Sequence, residues 1–340
     1  MKLLGLLSLL PAGCGDHLEK YPQTIYAPAS DYAEDVLWLQ NYITVLGVVV
    51  GVLIFAIMAF ILFRFRHRPG SGEPEQVQGN TRLELAWTLI PAVILAFVAV
   101  PTVQSIFATQ PNIDELPANT LPIDVIGWQW WWEFRYTLPG GETVITANEI
   151  HVPVGTPILL RMTARDVLHS FWVPQMGGKR DLMPNRTNYI YFTPQEPGIY
   201  LGQCAEYCGD SHALMRMRLI AHAPDAFAAW LRNEASPAVE PLPQDSALLL
   251  GKQFVTQGAC AGCHTIDGTQ MVGRLGPDLT HFGRRRTLAA GILENNAVNL
   301  TAWLHDAPAI KPGSKMPAIE GLGITEEQVP YVVAYLQSLQ

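Results

Sequence analysis

Two long apolar runs dominate the first third of the chain. Residues 36–63 contain no charged side chain, and neither do residues 85–113. The most apolar parts, residues 43–63 and 85–107, each exceed the ~20 residues that a helix needs to cross a membrane. The pattern predicts two transmembrane helices, at about residues 38–63 and 84–107, within a hairpin of residues 35–110. Two buried helices of a soluble fold are the alternative, which a pair of such adjacent runs disfavours.

The connection between the two runs is rich in arginine, with Arg64, Arg66, Arg68 and Arg82. Short loops of this kind stay on the cytoplasmic side of a membrane. The pattern therefore predicts that both outer ends of the hairpin, and everything after about Asp114, lie outside the cytoplasm.

The N-terminus is typical of a short signal peptide over residues 1–14, with Lys2 ahead of an apolar stretch and small residues before Cys14. Cleavage before Cys14 would leave a cysteine for lipid attachment. A signal that is uncleaved, or cleaved elsewhere, is the alternative, because Pro11 departs from the usual lipoprotein pattern.

Apolar and polar residues alternate with the period of a β-strand from about residue 115 onward. Turn signals such as Pro139-Gly140 and Pro197-Gly198 separate the segments. Short strands at this spacing predict an antiparallel sandwich, which we place at residues 115–232. The alternating positions are Ile123 and Val125; Ile158, Leu160 and Met162; and Tyr189 and Tyr191.

A proline-rich segment, residues 233–244, predicts an extended linker, and the period beyond it becomes helical. We expect a helical domain over residues 245–340. Asp245 would cap a helix that runs through Phe254. Thr325 and Gln328 would form a capping box for the final helix, with Pro330 in its second turn.

Composition agrees with a membrane protein: 49% of residues are hydrophobic and only 15% are charged. The net charge of −8 gives no support for nucleic-acid binding.

A cluster of soft metal ligands occupies one short segment, with Cys204, Cys208, His212 and Met215, and His169 lies upstream. Thiolates, imidazoles and thioethers are the ligands that copper favours. Two thiolates from one loop can bridge two copper ions, with one histidine on each, Met215 as a weak axial ligand and a loop carbonyl near Glu206. A disulfide, a Cys2His2 zinc site and a mononuclear blue-copper site are the alternatives.

A second motif, Cys260-Ala-Gly-Cys263-His264, is typical of covalent attachment of c-type haem. The two thiols would bind the haem vinyl groups, and His264 would ligate the iron. Met316 is the expected sixth ligand, and Met271 is the alternative, although it lies too close to the attachment motif.

The loop Cys-x-Glu-x-Cys-Gly-x-x-His-x-x-Met at residues 204–215 resembles the CuA loop of cytochrome c oxidase subunit II. Similarity extends over roughly residues 35–232. The family fold is a transmembrane hairpin followed by an all-β cupredoxin Greek-key sandwich. The C-terminal part resembles an all-α class I cytochrome c, so the whole chain is similar to subunit II of caa-type bacterial oxidases. The other matching segments are Leu83-Glu84-Leu-Ala-Trp87, Gly127-Trp-Gln-Trp130-Trp-Trp132, Gly178-Lys-Arg-Asp181, and, in the cytochrome part, Gly276-Pro277 and Gly313-Ser-Lys-Met316-Pro317.

This resemblance implies roles for individual residues. CuA would be bound by His169, Cys204, Cys208, His212, Met215 and the carbonyl of Glu206. The Glu206 side chain would reach a magnesium ion at the seam with subunit I. Trp130 would be the exposed tryptophan at which electrons enter, and Glu84 would lie near the mouth of a proton-uptake channel. For Glu84, a residue that reaches the membrane surface from a helix end is the alternative.

The implied function is that of a two-pass subunit of a respiratory, proton-translocating oxidase in a bacterial inner membrane, with the copper and haem domains outside. Electrons would pass from a soluble or membrane cytochrome c to haem c, to CuA and to the haem of subunit I, and subunit III would be a further partner. No histidine set for oxygen reduction occurs in the two apolar runs. A CuA-containing subunit of a nitric oxide reductase-like complex, and a membrane-anchored copper-binding electron carrier without an oxidase partner, are the alternatives.

Overall fold

The computed structural model describes residues 21–70, 72–73 and 75–340. Among the described residues, 34–110 form one compact unit, and 21–33 together with 111–340 form the other. The predicted signal peptide and Cys14 lie outside the described residues.

The first unit is built from two helices, α1 (Asp31–Arg64) and α2 (Thr81–Thr109). The helices have 34 and 29 residues, and an 18-residue stretch within each has a mean hydropathy of 3.1 and 2.2, respectively, as in membrane spans. Both helices extend beyond the predicted bounds because polar caps, and not the apolar runs, determine where they begin. Ser30 Oγ accepts a hydrogen bond from Ala33 N, and Asn80 Oδ1 accepts from Arg82 N and Leu83 N. Large apolar side chains are exposed along both helices, as expected of helices surrounded by lipid.

Ten strands of the second unit form a β-sandwich of two five-stranded sheets. The strand orders are β3-β2-β1-β5-β8 and β4-β10-β9-β6-β7. Two pairs, β1 with β5 and β4 with β10, are parallel, so the prediction of an antiparallel sandwich was wrong for these pairs. The strands are β1 (Leu121–Trp128), β2 (Trp131–Thr137), β3 (Thr143–Ala147), β4 (Glu149–Pro153), β5 (Ile158–Ala164), β6 (His169–Trp172), β7 (Arg180–Leu182), β8 (Asn188–Phe192), β9 (Gly198–Cys204) and β10 (Arg216–His222).

The alternating positions noted in the sequence are buried on β1 and β5 but not on β8. Ile190 and Phe192 face the core of the sandwich, while Tyr189 and Tyr191 are half-exposed on the other face. The register pairs Leu160 with Ile190, so the buried face of β5 continues onto these residues. An alternation of tyrosines with apolar residues does not itself show which face is inside, because both kinds of residue can be buried.

Helix α3 (Pro224–Glu234) ends the sandwich part of the chain, and a helical domain follows the proline-rich segment. Its first and last long helices pack together at Gly251, where a side chain would collide with the backbone of Tyr331. The elements are α4 (Ser246–Gln257), β11 (Thr287–Leu288), β12 (Leu293–Glu294), α5 (Ala297–His305), α6 (Ala307–Ile310), α7 (Ile319–Leu322) and α8 (Val329–Ser338).

The two predicted helix starts hold in part. Asp245 is at the N-cap of α4 but its side chain makes no capping hydrogen bond, and α4 continues three residues beyond Phe254. Thr325 N donates to Gln328 Oε1 as in a capping box, but α8 begins only at Val329. Pro330 therefore lies in the first turn, where its missing N–H distorts nothing. The exact domain boundaries stay predictions.

Candidate metal centres

The loop between β9 and β10 brings the predicted copper ligands together. The backbone N–H of Cys204 donates to the Met215 carbonyl at 2.9 Å, which closes the loop at its base. The Sγ atoms of Cys204 and Cys208 are 3.8 Å apart, so the two thiols face one point and form no disulfide. His212 Nδ1 lies 3.6 Å from Cys208 Sγ, and the Sδ atom of fully buried Met215 lies 3.9 Å from it. The Glu206 carbonyl oxygen is 3.2 Å from Cys204 Sγ.

The two thiols are chemically unequal in the absence of metal. A hydrogen bond from Cys208 lowers the pKa of Cys204 to about 3. The same interaction and burial raise the pKa of Cys208 well above its usual value. One thiolate is therefore present at neutral pH, and thiolates are the form in which cysteine binds metals.

His169 joins this loop from the start of strand β6. Pairing of Phe171 with Cys204 places β6 beside β9. Asp166 Oδ1 is 2.9 Å from His169 Nε2 and orients the ring. A Cβ at Gly127 would lie 2.8 Å from the imidazole, so only glycine leaves room for the ring there. Because Nε2 of His169 is hydrogen-bonded to Asp166, Nδ1 is the ring nitrogen that remains free to bind a metal.

The donor set fits copper. His169 Nδ1 is buried and has no hydrogen-bond partner among the described residues. One ligand atom each from His169, Cys204 and Cys208 lies within 4.8 Å of the others. A buried imidazole nitrogen close to two thiols, one of which contacts the Met215 sulfur, matches the preferences of copper better than those of zinc, which rarely takes methionine.

The haem attachment residues line a cavity of about 460 Å³ in the helical domain. Cys260, Cys263, His264 and Met316 all border it. His264 Nδ1 lies 2.7 Å from the Pro277 carbonyl, which leaves Nε2 for iron. Burial lowers the pKa of His264, which favours the neutral, ligating form. Met271 is packed in the core of the domain, away from the cavity lining.

Trp130 lies between the two candidate centres. Its Nε1 donates to the Cys208 carbonyl at 2.9 Å, and its ring borders the haem cavity. A Cβ at Gly313, three residues before Met316, would lie 2.5 Å from the ring. Only 8% of Trp130 is exposed, so the expectation of an exposed tryptophan was wrong: the helical domain covers it.

The two acidic residues singled out in the sequence belong to different units of the chain. Glu84 is in the first turn of α2, where its Oε1 accepts a hydrogen bond from Asn80 N at 3.3 Å. Glu206 is half-exposed in the copper loop.

Several supporting residues had no recognisable signal in the sequence. Nothing in the sequence distinguishes Asp166 from other loop aspartates, but in the structure it contacts His169 at the start of β6. His151 and His222 form a pair, 2.8 Å between Nδ1 and Nε2, that stacks on Trp230. They are 71 residues apart in the chain, so no local pattern shows the pair. His281 is also buried, and its Nε2 lies 2.9 Å from the Ser236 carbonyl.

The chain combines two apolar helices with a β-sandwich that carries a cluster of thiol, imidazole and thioether groups. It also has a helical domain with a haem attachment motif. These features define a membrane-anchored electron-transfer subunit. Three family descriptions match the chain. They are "Cytochrome C oxidase subunit II, transmembrane domain" at residues 19–105, "Cytochrome C oxidase subunit II, periplasmic domain" at residues 140–221, and "Cytochrome c" at residues 248–340. The chain belongs to the cytochrome c oxidase subunit II family and carries a C-terminal cytochrome c domain.

Known relatives match over nearly the whole chain. Cytochrome c oxidase subunit 2 of Alkalihalophilus pseudofirmus is 38% identical, over 99% of this chain and 96% of that protein. The subunit 2 of Bacillus subtilis is 34% identical, over 92% of this chain and 90% of that protein. The periplasmic domain of subunit II from Bradyrhizobium japonicum has a TM-score of 0.33 and 31% identity, covering 35% of this chain and 96% of that structure. Family membership implies a CuA centre and haem c, and a complex with subunit I.

Proposed function

We propose that this chain conveys electrons from an external cytochrome c, through haem c and CuA in that order, to the haem of subunit I, where oxygen is reduced to water. The observation that carries this order is the position of Trp130. One indole hydrogen-bonds to the backbone of a copper ligand, Cys208, and also borders the cavity that holds Cys260, Cys263 and His264. An external donor cannot reach the covered ring directly, so the haem domain is the entry point and Trp130 the bridge.

When bound, haem c and CuA each supply a one-electron centre. In the haem domain, Cys260 and Cys263 would hold the haem covalently, and His264 and Met316 would bind its iron. The hydrogen bond between His264 and the Pro277 carbonyl holds the ring in place.

In the copper domain, Cys204, Cys208, His169 and His212 would hold the two copper ions. Met215 and the Glu206 carbonyl would be the weak ligands. Asp166 holds the His169 ring, and burial of the cluster excludes water. Copper binds thiolates, so metal binding requires Cys208, whose pKa is raised, to lose its proton, and copper loading should release protons.

The remaining assignments concern the assembled complex. The Glu206 carboxylate would bind magnesium at the seam with subunit I, and its partial exposure supports this role. Glu84 would lie near the mouth of a proton-uptake channel, with subunit III as a further neighbour. The arginine-rich connection between α1 and α2 supports an inner-membrane location with both redox domains on the outer side.

Rapid mixing of the purified oxidase with reduced cytochrome c tests the order of transfer. Haem c absorbance should change first and the near-infrared band of CuA second. The EPR spectrum should show hyperfine structure from one electron shared by two copper nuclei. Reduction of CuA before haem c, or the spectrum of a single copper ion in a fully loaded sample, would contradict the proposal.

A further inference from the structure

One carboxylate of the sandwich is buried against the cytochrome domain. Glu149, at the start of β4, is 1% exposed. Its Oε1 accepts hydrogen bonds from Thr287 N at 2.8 Å and Thr287 Oγ1 at 2.9 Å, and its Oε2 accepts from Arg286 N at 3.1 Å. Three donors from a distant segment therefore satisfy this carboxylate, which would be costly to bury without them.

The next residues of the same segment hold a strained backbone against β10. Ala289, Ala290 and Gly291 all have φ between +54° and +78°, a conformation that alanine rarely adopts. The Ala290 carbonyl accepts from Arg216 N at 3.1 Å, and the Gly291 carbonyl accepts from Arg218 at 3.4 Å. Strain in a segment persists where surrounding contacts hold it, and here those contacts belong to the copper domain.

A buried lysine of the cytochrome domain makes a second contact with the copper domain, at Trp130. Lys311 is 4% exposed, and its Nζ donates to the Trp130 carbonyl at 2.5 Å and to the Ala289 carbonyl at 3.2 Å. Burial lowers the pKa of Lys311 to about 7, and the amine can donate both bonds in either protonation state. Ser211, in the copper loop, donates to the neighbouring Pro312 carbonyl at 2.6 Å.

The proline-rich linker belongs to the cytochrome side of this contact. Ala238 N donates to the Asp267 carbonyl at 3.0 Å, and Glu240 pairs with Lys252 of α4. These contacts tie the linker to the domain that it carries. They do not hold that domain on the sandwich.

We propose that Glu149 and Lys311 form a two-point latch that holds the cytochrome domain permanently docked on the copper domain, so that electron delivery depends on this surface and not on the linker. Both are positioning residues, because they touch the backbone beside Trp130 and the haem cavity without binding either metal. This inference depends on the proposed function only in the direction of electron flow, and the docking itself does not depend on it. It makes the cytochrome domain a fixed relay, in contrast to a tethered carrier that leaves and returns.

A cleavable linker in the complete oxidase tests the latch. A protease recognition sequence replaces the residues around exposed Val239, and the assembled complex is cut and then washed on a size-exclusion column. The cut wild-type complex should keep its haem c and its rate of haem-to-CuA transfer. Glu149→Ala and Lys311→Met should each weaken docking on the order of ten- to a hundredfold, because buried hydrogen bonds to charged groups are lost. After cutting, the double variant should lose its haem c.

Two control substitutions sharpen the comparison. Glu142→Ala removes an exposed carboxylate from the same domain, and Lys252→Met removes the lysine that contacts the linker. Both should behave as wild type after cutting. If Glu149→Ala fails to assemble, Glu149→Gln keeps the side-chain volume while replacing one acceptor by a donor, and it should show the same loss to a smaller degree.

The outcomes separate the latch from the electron route. Release of haem c from the cut wild-type complex, or retention by the cut double variant, would overturn the latch even if haem-to-CuA transfer in the uncut protein is normal. Failure of that transfer in the uncut wild-type complex, with haem c retained after cutting, would overturn the route and leave the latch intact.

Discussion

Gly313→Ala tests whether the contact between the cytochrome loop and Trp130 is part of the electron route. Gly313 has φ +76°, and a Cβ there would lie 2.5 Å and 2.7 Å from two atoms of the indole ring. These distances are about 1 Å short of normal carbon contact. The ring cannot retreat freely, because its Nε1 is bonded to the Cys208 carbonyl at 2.9 Å.

The expected cost has two separable parts. Alanine in the left-handed region costs about 1–2 kcal/mol, which lowers the stability of the cytochrome domain whether or not it is docked. Overpacking against Trp130 costs about 1–3 kcal/mol more and acts only on the docked arrangement. That second part corresponds to a loss of docked molecules of roughly five- to a hundredfold, or to an indole displaced from Cys208.

Gly323→Ala is the matched control. Gly323 lies in the same domain with φ +65°, and its Cβ would meet nothing within 4 Å. It therefore carries the backbone cost alone. Thermal unfolding of the cytochrome domain and the single-turnover rate from haem c to CuA should be measured for both variants at matched copper and haem content.

Both variants should lower the unfolding temperature, but only Gly313→Ala should slow the transfer. Equal transfer rates in Gly313→Ala and Gly323→Ala would refute the reasoning, because the steric contact with Trp130 would then have no consequence for the route.

Three further predictions concern the copper ligands, the cytochrome domain and the buried histidine pair. Cys208→Ser should abolish the EPR signature of paired copper, whereas Met215→Leu should keep it and shift the reduction potential, since a weak axial ligand tunes the metal; an unchanged signature in Cys208→Ser would refute the ligand assignment. Termination of the chain after Ala238 should leave CuA intact but sharply reduce oxygen uptake from a soluble cytochrome, because the docked haem domain that passes electrons to Trp130 is lost; undiminished turnover would place the haem domain off the main route. Burial lowers the pKa of both His151 and His222 in the folded protein. In the unfolded chain a histidine has a pKa of about 6.5, so the unfolded chain binds more protons below that pH. The free energy of unfolding should therefore decrease as the pH falls below about 6.5. His151→Phe should make the fall in unfolding temperature shallower, and an identical slope would show that the pair does not titrate in this range.

The membrane helices and most of the metal-ligand motifs can be predicted from residues that are close together in the sequence. The two apolar runs predict membrane helices because a bilayer requires length and hydropathy, which neighbouring residues supply. Cys204, Cys208, His212 and Met215 lie within one loop, so covalent spacing alone brings most copper ligands together. The same holds for Cys260, Cys263 and His264. Family resemblance, carried by these motifs, was confirmed over nearly the full chain.

Tertiary structure decided the features that depend on residues far apart in the chain. The side of β8 that faces inward follows from its register with β5, which the alternation of tyrosines could not show. Asp166 became a partner of His169, and His151 a partner of His222, only through strand placement.

The docking surface is the clearest case of a property that the sequence does not show. Trp130 was expected to be exposed, but Gly313 and Lys311, more than 180 residues later, cover it. Metal-ligand motifs are readable because a metal demands fixed residue types at fixed spacing. The surface between two domains demands only that distant donors, acceptors and shapes match, and such matching leaves no period or motif along the chain.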